Sequence, residues 1–232
     1  RMPAPFLSVI IDDCIAKGMD YNAGGARYNT SYIQGVGMGT ITDALAAIKH
    51  LVYDQGQVTM AELLAGLATD FQDNERLRQL LLNKSPKYGN DDDYADSIMT
   101  QVFNIFHRAV DGRPNSKGGT YRINMLPTTC HVYFGAKTGA TADGRKAKTP
   151  FSEGISPVQG ADRLGPTAVL RSAAKLDHLK TGGTLLNQKF SPAILAGETG
   201  LEKLMALVRA YFRLDGHHIQ FNVVDRATLL AA

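Results

Sequence analysis

The feature that most constrains the fold is the segment from Lys137 to Gly165, which consists almost entirely of turn-forming residues. It reads KTGATADGRKAKTPFSEGISPVQGADRLG, with glycine, proline, serine, threonine and aspartate throughout. Such residues favour turns through positive φ, a fixed φ or local side-chain hydrogen bonds. Because a structureless connection this long inside a compact chain is usually functional, the segment predicts a functional loop.

Regular elements are predicted on both sides of this loop. Of the 232 residues, 44% are hydrophobic, which is enough to bury a core. Apolar spacing predicts helices over 6–15, 44–54, 60–71, 74–82, 166–176 and 201–214, a long helix with a buried stripe at Ile98, Val102, Phe103, Ile105, Phe106 and Val110, and a last helix capped by Asp225. TYRINMLPTTCHVYFG predicts a strand interrupted at Pro127, and TGGTLLNQKF and HHIQFNVV predict two more. This alternation favours an α/β fold with crossover connections.

Composition excludes several classes of protein. The net charge is only +3, and no Lys/Arg block with interleaved aromatic residues is present, so nucleic-acid binding is not expected. No apolar run reaches the roughly 18 residues of a membrane span, and the amino terminus meets charges too early for a signal peptide. Cys14 and Cys130 form neither a disulfide framework nor a zinc site. We therefore expect a cytoplasmic protein that acts on a small molecule.

Single motifs do not name a reaction. GGARYN followed by QGVGMG superficially resembles a dinucleotide fingerprint, but a helix precedes it instead of a buried strand. Asp91, Asp92 and Asp93 lack the alternate spacing of a calcium loop and are predicted to favour a helix start electrostatically. His217 and His218 face opposite sides of a strand, and no second ligand cluster accompanies them, so no metal is expected. His131 is a candidate catalyst, with a hydrogen-bonded core histidine as the alternative.

Longer motifs resemble a known family. They are GGARYNTSYIQGVG, PKYGNDDDYAD, KGGTYRINMLPTTCHVYFG, ATADGRKAKTPFSEGISPVQGADRLGPTAVLRS, TGGTLLNQKF and DGHHIQFNVVD. In this order, over nearly the whole chain, they resemble the glycyl radical enzymes of the pyruvate formate-lyase-like superfamily. NTSYIQGVG and TTCHVYFG look most similar to the choline trimethylamine-lyases within it. They also resemble the diol and glycerol dehydratases, and less closely pyruvate formate-lyase or 4-hydroxyproline dehydratase.

The resemblance implies a fold and a cofactor. The family fold is a ten-stranded α/β barrel made of two five-stranded parallel halves surrounded by helices. This chain would supply much of the second half as a single fragment, residues 1–232, of a larger catalytic domain. The family carries a glycyl radical, which a separate activating enzyme installs with S-adenosylmethionine and an iron–sulfur cluster. The radical then passes to a cysteine, whose thiyl radical abstracts a hydrogen atom from the substrate.

Neither radical-bearing residue is expected within the chain. The family's Gly-Cys-Val-Glu motif would precede Arg1, and its Arg-Val-x-Gly-Tyr motif would follow Ala232. Neither Cys14 nor Cys130 matches the cysteine motif. We therefore assign no catalytic residue here and expect the piece alone to be inactive. The full-length protein is expected to be a cytoplasmic homodimer, with enclosure in a bacterial microcompartment as a further alternative.

The resemblance also implies a substrate-contacting wall on the strand through Asn124 to Thr128. Alternate residues of a strand face one side, so either Met125 and Pro127 or Asn124, Leu126 and Thr128 form it. We favour Met125 and Pro127, and add Leu126 because proline disturbs the alternation. An apolar wall would exclude water from a radical intermediate and accommodate methyl groups. Ordinary core packing is the alternative for each residue.

The leading interpretation is a lyase that cleaves the C–N bond of choline to trimethylamine and acetaldehyde. A diol or glycerol dehydratase, which eliminates water instead, is the nearest alternative. Acyl transfer of the pyruvate formate-lyase type is a third interpretation. A noncatalytic half-barrel that completes a partner chain is a fourth.

Overall fold

Parallel strands alternate with helices in the computed structural model, which describes residues 2–231. The helices are α1 (Pro5–Ser8), α2 (Asp12–Lys17), α3 (Met38–Ala47), α4 (Met60–Ala68), α5 (Glu75–Asn83), α6 (Asp93–Val110), α7 (Cys130–Lys137), α8 (Pro166–Ala173), α9 (Gly197–Arg213) and α10 (Arg226–Ala231). The strands are β1 (Ser31–Gln34), β2 (Tyr121–Met125), β3 (Thr181–Thr184), β4 (Leu186–Phe190) and β5 (Ile219–Val223). A π-helix, Ile48–Asp54, continues α3.

The strands form two parallel sheets. β2 lies between β1 and β3, with Gln34 opposite Asn124 and Met125 opposite Thr184. β4 pairs with β5, and α9 belongs to the crossover between them. Since parallel neighbours require such crossovers, this topology confirms the expected α/β class. No helix of the part that the structure describes is long and apolar enough to cross a membrane.

The main core lies between β2 and the helices. Met99 and Phe103 of α6 are fully buried against Ile123 and Met125 of β2. Val102, Phe106 and Val110 pack partly against the same core, as predicted, but Ile105 is 57% exposed. Residues 99, 103, 106 and 110 follow helical spacing along one face, whereas position 105 is displaced from it. The predicted stripe is therefore wrong at Ile105.

The acidic start of α6 is confirmed. The Asp92 side chain caps the helix by accepting a hydrogen bond from the backbone N–H of Tyr94 at 2.9 Å. Lys175 lies within 3.2 Å of Asp91 and 2.7 Å of both Asp93 and Asp96. The carboxylates thus serve the helix terminus and bind α6 to the end of α8.

Three predicted elements are corrected. The helix expected over residues 6–15 is divided into α1 and α2. The Ser8 hydroxyl, at the end of α1, lies within hydrogen-bond distance of the Asp20 carboxylate, the Ala4 carbonyl and the Tyr21 backbone N–H, and such side-chain bonds compete with continuation of a helix. The helix expected over residues 44–54 begins earlier, at Met38, so that Thr40 and Asp43 lie inside α3. After Pro127 the chain turns at Thr128, with φ of +52°, and residues 130–137 form α7 in place of a strand. The tertiary context overrides the local β-propensity of these residues.

The Thr138 to Gly165 segment has no helix or strand, as predicted, and is held by side chains. The Arg145 guanidinium donates to the carbonyls of Gly139, Lys146 and Thr149, and it lies 4.5 Å from the centre of the Phe151 ring. Such a charged planar fork fixes several loop carbonyls at once. The loop is therefore packed and ordered.

The buried face of α3 forms hydrogen bonds both with this loop and with the segment between α5 and α6. Thr40 Oγ1 accepts from the backbone N–H of Ser152 at 2.9 Å, and Asp43 Oδ1 accepts from that of Tyr88 at 2.8 Å. Asp43 is only 1% exposed. Burial raises its pKa from the ordinary value to about 7, because a carboxylate is poorly solvated in that position.

Because Asp43 is buried, we expect the stability of the folded protein to depend on pH. The substitution Asp43→Asn should remove this dependence. The carboxyl ionises near pH 4 when unfolded and near pH 7 when folded, so the folded state binds more protons between these values. Asp43 therefore destabilises the protein increasingly as pH rises through this window. Urea unfolding between about pH 4 and about pH 7 should show the wild type losing stability relative to Asp43→Asn. A constant difference between the two proteins across this range would contradict the assignment.

Candidate functional site

The carboxyl ends of β1, β2 and β3 meet at one edge of their sheet. β1 ends at Gln34, β2 at Met125 and β3 at Thr184, and all three run in the same direction. In open parallel sheets and α/β barrels, ligands bind beyond the carboxyl ends of the strands. The carboxyl edge, defined here as Gln34, Asn124, Leu126, Gly183 and His217, is therefore the candidate functional site.

The two faces of β2 have different surroundings. Ile123 and Met125 are fully buried, whereas Arg122, Asn124 and Leu126 are half-buried. This alternation follows from the period of two in a strand. One face belongs to the core beneath α6, and the other face belongs to the carboxyl edge.

Met125, which the sequence analysis placed in the substrate wall, lies in the hydrophobic core. Its thioether occupies the space where a side chain on Gly35 would begin, and Phe106 borders the same space. This packing corresponds to the core alternative that the sequence left open for Met125. The Met125 side chain faces the helices, so we do not include Met125 in the candidate site.

Leu126, which the sequence analysis added to the predicted substrate wall, lies at the carboxyl edge, and a substrate contact by it stays a prediction. Its backbone N–H donates to Gln34 Oε1 at 3.1 Å. A Cβ placed on Gly183 would lie 2.8 Å from Leu126 Cδ1 and 3.5 Å from His217 Cε1. The absence of a side chain at Gly183 therefore lets Leu126 and His217 approach the same point above β3. The neighbouring glycine, Gly182, similarly leaves room for the ring of Tyr32.

Pro127 is buried and begins the turn that leaves the sheet. The following residue, Thr128, adopts a left-handed conformation, and its hydroxyl donates to the Pro127 carbonyl at 2.8 Å. Nδ1 of His131 lies 2.9 Å from the Thr128 carbonyl oxygen, and His131 is half-buried. Pro127 and His131 therefore shape the turn after the strand, and a substrate contact by Pro127 remains a prediction.

Two side-chain amides give the edge its polar character. Gln34 and Asn124 are paired in register on adjacent strands. Asn124 Oδ1 is buried and has no hydrogen-bond partner within residues 2–231. A buried polar oxygen without a partner costs about 1–3 kcal/mol. A ligand hydroxyl or ammonium donor at this position would relieve that cost.

His178 supports the end of β3 from beneath. Its Nε2 lies 3.1 Å from the Ala173 carbonyl and its Nδ1 lies 2.9 Å from Thr184 Oγ1. Since a carbonyl only accepts, Nε2 carries the hydrogen and Nδ1 accepts from the threonine hydroxyl. Burial lowers the pKa of His178, which favours this neutral ring. The imidazole therefore fixes Thr184 without adding charge to the core.

The edge can bind and orient a polar molecule, and it contains no nucleophile with an adjacent base. Within the described residues, no group of three or more His, Cys, Asp or Glu side chains is arranged to hold a metal ion. Cys14 is buried, and Cys130 is half-buried in the first turn of α7. The sequence analysis missed Gln34, and it considered His217 only as a metal ligand, a role that it rejected. The TGGT sequence was the available signal, since adjacent glycines on a strand indicate close approach by other groups.

Comparison with known proteins defines the family. Residues 1–135 match the pyruvate formate lyase-like family, and residues 151–232 match the glycine radical family. The chain therefore belongs to the pyruvate formate lyase-like glycyl radical enzymes. The α/β fold expected from the motifs is confirmed by the match to solved enzymes of this type. These enzymes use a glycyl radical, an activating partner and small-molecule substrates.

Three relatives illustrate the similarity. Trans-4-hydroxy-L-proline dehydratase of Clostridioides difficile is 59% identical over 232 residues, which are 100% of this chain and 29% of the relative. Its substrate-bound crystal structure matches with a TM-score of 0.95. The glycerol-bound B12-independent glycerol dehydratase of Clostridium butyricum is 45% identical, with a TM-score of 0.94 and coverage of 100% and 30%.

The third relative is the isethionate sulfite-lyase of Oleidesulfovibrio alaskensis. It is 39% identical over 233 residues, which are 98% of this chain and 28% of that relative. The chain thus spans less than a third of the length of each of the three. Dehydration and related bond cleavages occur among these relatives.

The close contact between Gly35 and Met125 predicts a steric requirement for glycine. Gly35→Ala would push a methyl group into the fully buried Met125 side chain, and overpacking of this kind costs about 1–3 kcal/mol of unfolding free energy. Gly139→Ala is the matched control, because no atom lies within 4 Å of the new methyl group there. Urea unfolding of the two variants should separate them, and equal stabilities would show that Met125 moves aside freely.

Proposed function

We propose that this chain forms one wall of the substrate chamber of a glycyl radical dehydratase that acts on a small hydroxylated molecule. The observation that carries the proposal is the carboxyl edge, where the amides of Gln34 and Asn124 lie beside Leu126 and His217. Similarity to dehydratases over the whole chain supports the reaction class.

The mixture of groups suits removal of a hydroxyl group. Amide oxygen and nitrogen atoms can hold substrate hydroxyl or amine groups in one orientation, and the unpartnered Asn124 Oδ1 needs a donor. Leu126 presents an apolar side chain beside them, which excludes water from the space above β3. Positioning and exclusion of water are the contributions that we assign to this chain.

The radical chemistry belongs to groups outside these residues. When present, the glycyl radical supplies a hydrogen-abstracting centre to the enzyme. The proposal includes a larger polypeptide that carries this radical and a cysteine, of which residues 1–232 are one fragment. It also includes an activating enzyme that uses S-adenosylmethionine and an iron–sulfur cluster. We further propose that the full-length protein is a homodimer and lies in the cytoplasm, with a bacterial microcompartment as the alternative location.

Dehydration replaces choline cleavage as our first choice of reaction. The relatives reported above act on hydroxyproline, glycerol and isethionate according to their names, and none of them supports the expected likeness to choline trimethylamine-lyases. Hydroxyproline carries a hydroxyl group, an amine and a carboxylate, and glycerol carries three hydroxyl groups, so both offer several polar groups that the two amides can bind. The apolar Leu126 side chain keeps cleavage of the choline C–N bond as a second candidate, since it could contact trimethylammonium methyl groups.

The substrate class is tested with the activated full-length polypeptide that carries this chain. Trans-4-hydroxyproline, glycerol, propane-1,2-diol and choline are supplied separately, and products are identified by mass spectrometry. We expect a dehydrated product from one of the hydroxylated compounds and no trimethylamine from choline. Trimethylamine formation without any dehydration would overturn the proposal in favour of the C–N lyase.

Leu126→Ala tests whether the wall contacts substrate. Loss of a packed apolar group at a substrate wall costs about 1–3 kcal/mol of transition-state binding, which lowers kcat/KM about 10-fold to about 200-fold. Leu179→Ala is the control, because that leucine is 90% exposed. Equal kcat/KM values for the two variants would remove Leu126 from the wall, whatever reaction is found.

A further inference from the structure

His217 lies at the carboxyl edge, and the proposed function has not yet given its side chain a contact. The residue follows α9 and lies just before β5. Its ring carbon Cε1 lies 3.5 Å from the position that a Cβ on Gly183 would occupy, beside Leu126, and the residue is exposed. Since ligands of parallel sheets bind beyond the carboxyl ends of the strands, this imidazole is placed to contact one.

A tight turn after α9 holds the backbone that carries His217. The backbone N–H groups of Leu214, Asp215 and Gly216 donate to carbonyls in the last turn of α9 at 3.0 to 3.2 Å. Gly216 packs directly against the ring of Tyr211, where a Cβ would overlap the ring, and Tyr211 is fully buried. The turn is therefore attached to the core, so that little ordering of the backbone is needed when a ligand reaches His217.

One ring nitrogen of His217 is engaged with the sheet. The backbone N–H of Thr184 donates to Nδ1 of His217 over a long distance of 3.5 Å. Because a backbone N–H can only donate, Nδ1 is the acceptor, and the hydrogen of the neutral ring lies on Nε2. Within the part of the chain that the structure describes, Nε2 has no hydrogen-bond partner. The exposed edge thus carries an N–H donor that is available to a ligand.

His178 shows the difference between this arrangement and a structural histidine of the same fold. His178 is buried, and both of its ring nitrogens are paired, one with the Ala173 carbonyl and one with the Thr184 hydroxyl. His217 contacts the same threonine but is exposed and uses one nitrogen only. The second nitrogen of His217 is therefore not needed to hold the sheet together.

We propose that the Nε2–H of His217 donates a hydrogen bond to a hydroxyl oxygen of the substrate and so positions that hydroxyl group beside Leu126. The inference rests on the proposed substrate chamber and names a contact within it. A hydroxyl oxygen can accept from His217 while its own hydrogen is donated to another group at the edge. A trimethylammonium group offers no acceptor, so the contact selects the hydroxylated end of a ligand.

Ligand binding by the full-length polypeptide before activation tests this contact. Dissociation constants for trans-4-hydroxyproline, glycerol and propane-1,2-diol are measured by ligand-detected NMR titration, and the tightest ligand serves as the probe. His217→Leu removes the donor and should weaken binding of this probe about threefold to tenfold, the loss expected for one hydrogen bond. His217→Gln supplies an amide N–H close to the position of Nε2 and should keep binding within about twofold of the wild type.

His218→Leu is the matched control. His218 is also exposed, and its carbonyl accepts from the backbone N–H of Leu186 at 3.3 Å, so the chain is extended there. Neighbouring side chains of an extended segment face opposite sides, so this variant should bind the probe within about twofold of the wild type. Failure of all three compounds to bind, equal losses in the two leucine variants, or no recovery in His217→Gln would overturn the contact.

The titration separates this contact from the proposed reaction, because binding needs no radical. Binding that depends on His217, without a dehydrated product after activation, would refute the dehydratase and support the contact. Dehydration by the activated wild type, together with unchanged binding by His217→Leu, would refute the contact alone.

Discussion

The division of β2 into two faces is the constraint on which the rest of the structure depends. Ile123 and Met125 pack beneath α6, and this burial fixes the position of the central strand. Because side chains alternate, Asn124 and Leu126 must then face the other way. A one-residue change of register would exchange the two sets and place an amide in the core. The core therefore determines which residues are available to a substrate.

The glycine positions adapt the neighbouring strands to this arrangement. Gly35 leaves space for Met125 on the core side, and Gly182 and Gly183 leave space for Tyr32, Leu126 and His217 on the other side. Core packing and the shape of the carboxyl edge thus depend on the absence of side chains at these three positions. His178 fixes Thr184 at the end of the same sheet. The site is assembled by packing around the edge, with few direct hydrogen bonds between its own side chains.

The long loop has a different physical basis. It contains no regular elements, and the buried Arg145 guanidinium satisfies several of its carbonyl groups. Thr40 and Asp43 extend this polar packing into α3, so residues with weak helix propensity serve tertiary contacts there. A cationic cavity lies between these same parts, and its basic lining residues are Arg78, Lys87, Arg145, Lys146 and Arg163. This cavity and the carboxyl edge therefore share no residues.

Residue patterns alone determined the α/β alternation, the acidic start of α6, the cap at Asp225 and the absence of helices and strands from the long loop, because these depend on local spacing and side-chain chemistry. The long motifs also identified the glycyl radical family. Tertiary structure decided that Met125 lies in the core, that α7 replaces a predicted strand, and that Gln34 and His217 join Leu126. Periodicity defines two faces of a strand but does not say which one the helices cover, since that depends on residues distant in the chain.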